Sequence, residues 1–435
     1  GGLTGPAGCS AAMLRLMRNI GWLLTGRGFN AALSLVYLAL ATRTLGLDGF
    51  GYFALIVALG QTVTGLANFQ TWQFVVRWGA GEKGPGEATG FAIALDFVSL
   101  LLGSALAGAL VWSAQFWLPL PADLLPVAFA FCVACLLAIR STPMGLLRLR
   151  FDYRRATAAE AVQPITRAVG AVIAALYFPT VVGFITAWAV AEILTALSLW
   201  IAAMRMERVD FSQISLTRLP RDNPGTWRFV LSTNLSASLN VGGKQVLILM
   251  VGAIGGESFA GGFRVASQLG QALVSLAQTL SKAIYPELVH ARDEAHDLAR
   301  RMANIALVGG GLAVLVTILF GRWGLVAIAG PEFRVVYWAM VILAIAGAVE
   351  LVGASLESLL VSAGRAGTAF IVRAVPTVLS LSLLETAMDW NGLKGAAFCV
   401  MGASALSVIG FWVAIISLSQ ITITVAPPED GKPQA

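Results

Sequence analysis

Leu-Gly-Leu-Asp-Gly-Phe-Gly at 45–51 and Ile-Gly-Gly-Glu-Ser-Phe-Ala at 254–260 are two versions of one phrase. Gly46, Asp48 and Phe50 recur as Gly255, Glu257 and Phe259, 209 residues later. Gly60 and Gln61 recur as Gly270 and Gln271, 210 residues later, and the run before Pro164 resembles the run before Pro376, 212 residues later. A repeat this long exceeds any solenoid unit. In an apolar chain it predicts two similar helical bundles with a carried substrate between them.

Composition agrees. The 435 residues are 57% hydrophobic and 12% charged, with mean hydropathy +0.80. A soluble domain does not need so much apolar surface, whereas bilayer spans do. Apolar windows of helical length fall at 20–42, 50–74, 89–113, 124–147, 157–178 and 181–203, then at 228–253, 258–282, 302–321, 333–360, 366–388 and 394–418. The expected fold is an all-α polytopic membrane protein of about 12 transmembrane helices in two six-helix lobes. An even number of spans per repeat makes that repeat parallel. The expected divisions are a cytoplasmic tail at 1–18, an N-lobe at 19–203, a cytoplasmic linker at 204–227, a C-lobe at 228–420 and a tail at 421–435. With both termini inside, 19 lysines and arginines fall on the cytoplasmic side and four outside: Arg43, Arg322, Arg334 and Lys394. The net charge of +6 is then a membrane-orientation signal and not a nucleic-acid footprint. The chain is expected in a bacterial inner membrane. Before Met13 there is no cleavable-signal layout, and Met13 is a candidate start.

Catalytic and metal chemistry find little material. Cys132 and Cys135 form a CxxC inside an apolar run, where packing is the expected role. The two histidines, His290 and His296, lie in a charged loop. No metal, cofactor or catalytic residue is expected, and the outer loops are too short for a membrane-embedded polymerase or ligase.

Six basic residues remain within spans: Arg27, Arg140, Arg167, Lys244, Arg264 and Arg373. A charge in hydrocarbon is costly unless it faces water or a partner. Arg264 opens a stripe at helical spacing through Gln268, Gln271, Ser275, Gln278 and Lys282. Further polar faces carry Thr233, Ser236, Asn240 and Lys244; Arg27, Asn30 and Ser34; and Gln61, Thr64, Asn68 and Thr71. The candidate substrate-binding set is therefore Arg27, Asn30, Gln61, Asn68, Asn240, Lys244, Arg264, Gln268 and Gln271, lining one cavity. Arg140 and Arg373 are expected to snorkel to the inner surface, while Arg167 either lines the cavity or pairs with Glu160 or Glu192. Asp96, Glu192, Glu350 and Glu357 either take H⁺ or Na⁺ in a coupling cycle or neutralise the arginines; Glu385 completes the acidic set.

The run from Asn19-Ile-Gly-Trp through Arg43-Thr-Leu-Gly-Leu-Asp-Gly-Phe-Gly-Tyr-Phe-Ala-Leu resembles the first two spans of polysaccharide-biosynthesis membrane proteins of the O-antigen flippase type. That family shares a superfamily with lipid II flippases and with multidrug and toxic compound extruders. The sequence-specific resemblance covers 19–80, with weaker support at 145–170 and 228–290. It implies two lobes around a cationic cavity, with Arg27 and Arg264 in the positions typical of flippases. It also implies movement of a lipid-linked oligosaccharide from the inner to the outer leaflet, alongside membrane lipid and other polysaccharide assembly proteins. An H⁺- or Na⁺-coupled exporter of small molecules is the alternative.

Overall fold

The computed structural model describes residues 6–80, 85–206, 209–289, 295–362 and 365–425, and side chains from Phe29 onward except at stretches that include most of 232–242 and 276–303. Among the described residues all regular structure is helical: α1 (Pro6–Ala67), α2 (Trp72–Gly79), α3 (Gly86–Trp117), α4 (Leu125–Leu137), α5 (Ser141–Leu149), α6 (Tyr153–Glu160), α7 (Val162–Tyr177), α8 (Val181–Met204), α9 (Arg218–Asp222), α10 (Thr226–Gly255), α11 (Glu257–Val289), α12 (Ala295–Ala329), α13 (Tyr337–Ser362), α14 (Ala366–Ser382), α15 (Leu384–Asn391) and α16 (Leu393–Val425). Among the described residues, eight segments are long and apolar enough to cross a membrane, or nine if the pair Gly367–Ser382 and Leu384–Asn391, bent by 50°, is one span. This differs from the expected 12 for visible reasons. Phe29–Gly79 is counted once, α10 is represented only by its apolar end, Gly243–Gly255, and α11 is not among the apolar spans.

Phe29–Gly79 is two arms. Sixteen residues of straight helix would separate Tyr37 from Phe53 by about 24 Å, yet their ring centroids lie 6.0 Å apart. The chain folds back at Gly46, with φ 69° and ψ −172°, a conformation open essentially to glycine alone. The same backbone shape returns at Gly256, with φ 89° and ψ 177°, between α10 and α11. The repeat is therefore real in the backbone, and it corrects the register. The turn glycine is Gly256, and Gly255 is the last residue of α10, so the offset here is 210 rather than 209.

The repeated phrase also builds contacts. Arg43 donates to the carbonyls of Ala327 and, at 3.3 Å, Ile328, closing the C-terminal turn of α12. Glu332 accepts from the Leu47 amide at 3.2 Å, and Asp48 accepts from Ser258. Gly51 and Gly261 meet so closely that a Cβ on Gly261 would stand 2.9 Å from the Gly51 nitrogen. Phe50, fully buried, packs on Phe53 and Phe333.

The chain forms two compact units. The first comprises Gly1–Val265 with Arg322–Tyr337, and the second Ala266–Gly321 with Trp338–Ala435. In the first unit, the connector after α8 docks through Leu219 into Phe74, Phe91, Leu95 and Val230, so it is anchored on α2, α3 and α10. Outside the spans, Asp210 caps the short turn that follows; two hydrogen bonds from Ser212 hold its carboxyl below the usual carboxylate range. In the second unit Val274, Ala313 and Leu351 make one apolar cluster and Leu356, Leu360, Ala369 and Phe411 another. Exposed large apolar side chains run along α3, α7, α12, α14 and α16, as lipid-facing helices require. Exposed Trp112, Phe116, Tyr177, Phe178, Trp323 and Trp390 fall at helix ends that the predicted topology puts at the outer surface, where aromatic rings collect.

Candidate functional site

Three helix breaks shape the first unit's interior. Pro143 has no amide hydrogen and its ring would collide with the carbonyl four residues back, so the helix cannot run through 139–143, and α4 gives way to α5. The freed Ile139 carbonyl is taken by Trp200 Nε1 at 3.0 Å. Pro164 separates α6 from α7 by the same mechanism. The third break, between α1 and α2, is held by side chains. Asn68 Oδ1 accepts from the Gln70 amide at 2.9 Å, Gln70 turns into the left-handed region with φ 52°, and Trp72 Nε1 donates to Gln70 Oε1 at 3.1 Å. The Trp72 amide donates to Ser141 Oγ at 3.0 Å, tying this break to the first. Irregular backbone at membrane depth persists only where protein or a cavity receives it.

Here there is a cavity, of about 410 Å³. Its walls include Gln61, Thr64 and Asn68 from α1 and the turn after it, Asp96 and Ser99 from α3, Arg140 and Ser141 at the α4–α5 break, Gln163 and Arg167 from α7, Trp188 and Glu192 from α8, and Gln245 from α10. One end is an ion cluster. Glu192 binds Arg140 through Oε2 and Arg167 through Oε1 at 2.5 Å. Its Oε1 also accepts from Gln163 Nε2 at 2.8 Å and Trp188 Nε1 at 2.9 Å. Trp188 precedes Glu192 by four residues on α8, as Gln163 precedes Arg167 on α7, so each pair shares a helix face. The Arg167 guanidinium lies 3.7 Å from the Trp188 ring centroid. The other end carries Asp96, 6% exposed, which accepts from Thr71 at 3.1 Å and from Thr142 at 2.5 Å. Those two hydroxyls are themselves 3.0 Å apart. Two buried atoms on the walls, Arg167 Nε and Gln245 Oε1, have no hydrogen-bond partner among the described residues.

Gln61, Asn68, Asp96 and Glu192 of the sequence-predicted set are thus brought together. Arg264 is not on the cavity wall. It is 5% exposed, 3.5 Å from the Ala54 carbonyl and 5.6 Å from the Trp188 ring. Its own helix buries it, because the face that bears Arg264 is the face on which α11 meets α1 at Gly51 and Gly261. Asn30, half-buried, Lys244, exposed, and Gln268 and Gln271 do not line this cavity either; the last two belong to the second unit. The side chains of Arg27, Thr233, Ser236, Asn240, Gln278 and Lys282 lie outside the described residues. Arg140 turns inward onto Glu192 instead of snorkelling, and Arg373 contacts Glu350 at 3.4 Å and Glu357 at 3.1 Å in the second unit. Arg140, Gln163, Trp188 and Gln245 were missing from the predicted site, although the prolines that bend the chain here are plain in the sequence; Arg167, expected either to line the cavity or to pair with an acid, does both. Cys132 is buried and Cys135 is on the cavity wall, both as free thiols. Among the described residues no cluster of His, Cys, Asp and Glu could hold a metal.

The sequence profile of the polysaccharide biosynthesis protein family matches residues 16–292. The chain is 26% identical over 338 residues to the inner membrane protein YghQ of Escherichia coli K12, covering 71% of this chain and 89% of that one. Among solved structures, the lipid II flippase MurJ in an inward closed conformation superposes with TM-score 0.73 at 11% identity, covering 93% of each chain. An inward-facing multidrug resistance MATE family transporter of the MOP superfamily gives TM-score 0.69 at 17% identity, covering 91% of this chain and 96% of that one. The fold is that of these MOP-superfamily transporters, and the chain belongs to the polysaccharide biosynthesis protein family.

Proposed function

We propose that the protein flips a polyprenyl-diphosphate-linked oligosaccharide, such as an O-antigen or exopolysaccharide unit, from the inner to the outer leaflet. The observation that carries this reading is the cavity's pairing of two arginines with a tryptophan and amides. Arginine offers forked donors suited to phosphate oxygens. Gln61, Gln163, Asn68 and Gln245 present donors and acceptors for sugar hydroxyls. The polyprenyl tail stays in lipid, against the exposed apolar faces. Lobes at 19–203 and 228–420 rock to give alternating access. An anionic head group moving outward gains about 2.3 kcal/mol per charge per 100 mV from a cytoplasm-negative potential. H⁺ or Na⁺ coupling through Asp96 or Glu192 fits within this scheme.

The alternative, a small-molecule exporter, has the same fold in its favour. An organic cation would nevertheless find Glu192 already paired with Arg140 and Arg167, and Asp96 already held by Thr71 and Thr142.

The test is the sidedness of polyprenyl-diphosphate-linked glycan in cells depleted of the protein. Cytoplasmic-leaflet build-up is expected, relieved by the intact protein and not by the Arg140→Ala, Arg167→Ala double variant. Unchanged sidedness with normal surface glycan would overturn the reading in favour of the exporter.

A further inference from the structure

Glu192 holds the position that a ligand's anionic group would need. Its two oxygens take donors from three walls of the cavity: Arg140 at the α4–α5 break, Gln163 and Arg167 on α7, and Trp188 on its own helix. The other charged and titratable groups around it are Cys135 on α4, Tyr37 on α1 and Arg264 on α11 behind Trp188, with Asp96 across the cavity on α3. Asp96 is tied to Thr71 and Thr142, so it is committed elsewhere. Arg167 Nε and Gln245 Oε1, both buried and without a hydrogen-bond partner among the described residues, are the capacity left over around this cavity.

A half-buried arginine pair on a cavity wall favours an anion between its members. A carboxylate fills that position in the resting protein, and a phosphate oxygen offers the same acceptor geometry to the same forks. From this geometry we infer that Glu192 is a built-in competitor: it occupies the phosphate seat formed by Arg140 and Arg167, and a diphosphate ester must displace it to bind. The inference rests on the flippase reading and specifies its site. It gives the resting site a closed, charge-compensated form, so that free phosphate and other weak anions do not hold it. It also reduces the affinity of the true ligand by the fraction of time Glu192 is displaced.

The experiment uses the full chain in detergent, with inorganic diphosphate as probe and calorimetric titration as readout. Glu192→Gln is expected to bind diphosphate at least about tenfold more tightly than the intact protein, because the competitor's charge is gone. The same variant is expected to unfold at a lower temperature than the intact protein without diphosphate and to recover the difference with it, a rescue that a merely structural glutamate does not give. Where Glu192→Gln fails to fold, Glu192→Asp supplies the test. Its shorter side chain reaches fewer donors, so binding is expected to fall between the two. Arg167→Gln is expected to abolish binding. Diphosphate affinity that is unchanged or weaker in Glu192→Gln, or unchanged in Glu192→Asp, overturns the inference, as does binding that survives Arg167→Gln. Titration is read without transport: tighter binding in Glu192→Gln beside unchanged glycan sidedness would retire the flippase reading and leave the competitor in place.

Discussion

The two compact units each hold an ionic cluster, and among the described contacts the ratios are opposite. In the first unit one carboxylate, Glu192, 14% exposed, stands between Arg140 and Arg167. In the second, one guanidinium, Arg373, 31% exposed, stands between Glu350 and Glu357. An acid shared by two arginines leaves donors that a second anion can use. An arginine shared by two acids has its donors directed at carboxylates already. Burial sharpens the contrast, since the first cluster lies on a cavity wall at the convergence of two helix breaks and the second lies along the faces of α13 and α14.

The sharpest test of this contrast is removal of the minority charge or of one majority charge. Glu192→Ala strands two arginines and is expected to cost about 3–5 kcal/mol of stability. Glu350→Ala leaves Arg373 on Glu357 at a more open position, and about 1 kcal/mol or less is expected. Thermal unfolding of the purified chains compares them, and equal losses would erase the distinction. Within the first unit, the cavity's two ends differ in how they hold an acid. Thr142→Val removes one of the two hydroxyls on Asp96 and is expected to cost about 1–3 kcal/mol, read by the same melting experiment. No change would mean that water replaces the hydroxyl. The two turn glycines form a second comparison across the repeat. Alanine at Gly46 or Gly256 must adopt positive φ, at about 1–2 kcal/mol each. Gly46→Ala is expected to be the worse, because its Cβ would meet Glu332 Oε2 at 3.3 Å, whereas nothing lies within 4 Å of a Cβ at Gly256. The smallest effect belongs to Trp188→Phe, which keeps a ring under Arg167 and deletes one donor to Glu192. About 1 kcal/mol is expected, with diphosphate affinity rising slightly as Glu192 is released.

How much of this was legible in the sequence varied with the kind of constraint. The repeated phrase was legible as a repeat, but the sequence matched Gly46 to Gly255, and only the backbone shows that the turn glycines are Gly46 and Gly256. Helices were legible from apolar windows, though a window does not reveal whether Pro143 or Pro164 kinks a span or ends it. The ion cluster was half legible. Glu192 was among the named partners of Arg167, since a buried charge needs an opposite one. Arg140 was sent to the membrane surface because position along a span does not show that α5 begins there with its N-terminus turned toward α8. Arg264 drew attention through a stripe of glutamines spaced for one face. The helix that carries the stripe crosses α1 at its start, and that crossing depends on Gly51, which lies 213 residues from Arg264 and outside any periodicity count.

The clasp made by Arg43, Leu47 and Asp48 has a consequence in time. Arg43 reaches a carbonyl 285 residues further along the chain, and Leu47 reaches Glu332 across the same separation. At roughly 5–20 residues per second of synthesis, the first hairpin waits about 15–60 s between its own emergence and that of its partners. During that interval Arg43 and the Leu47 amide lack their partners, and Phe50 lacks Phe333. Insertion of this protein therefore leaves its earliest segment unfinished until three quarters of the chain has been made, and slowed translation upstream of residue 327 is expected to expose that segment to quality-control proteolysis before any cavity exists.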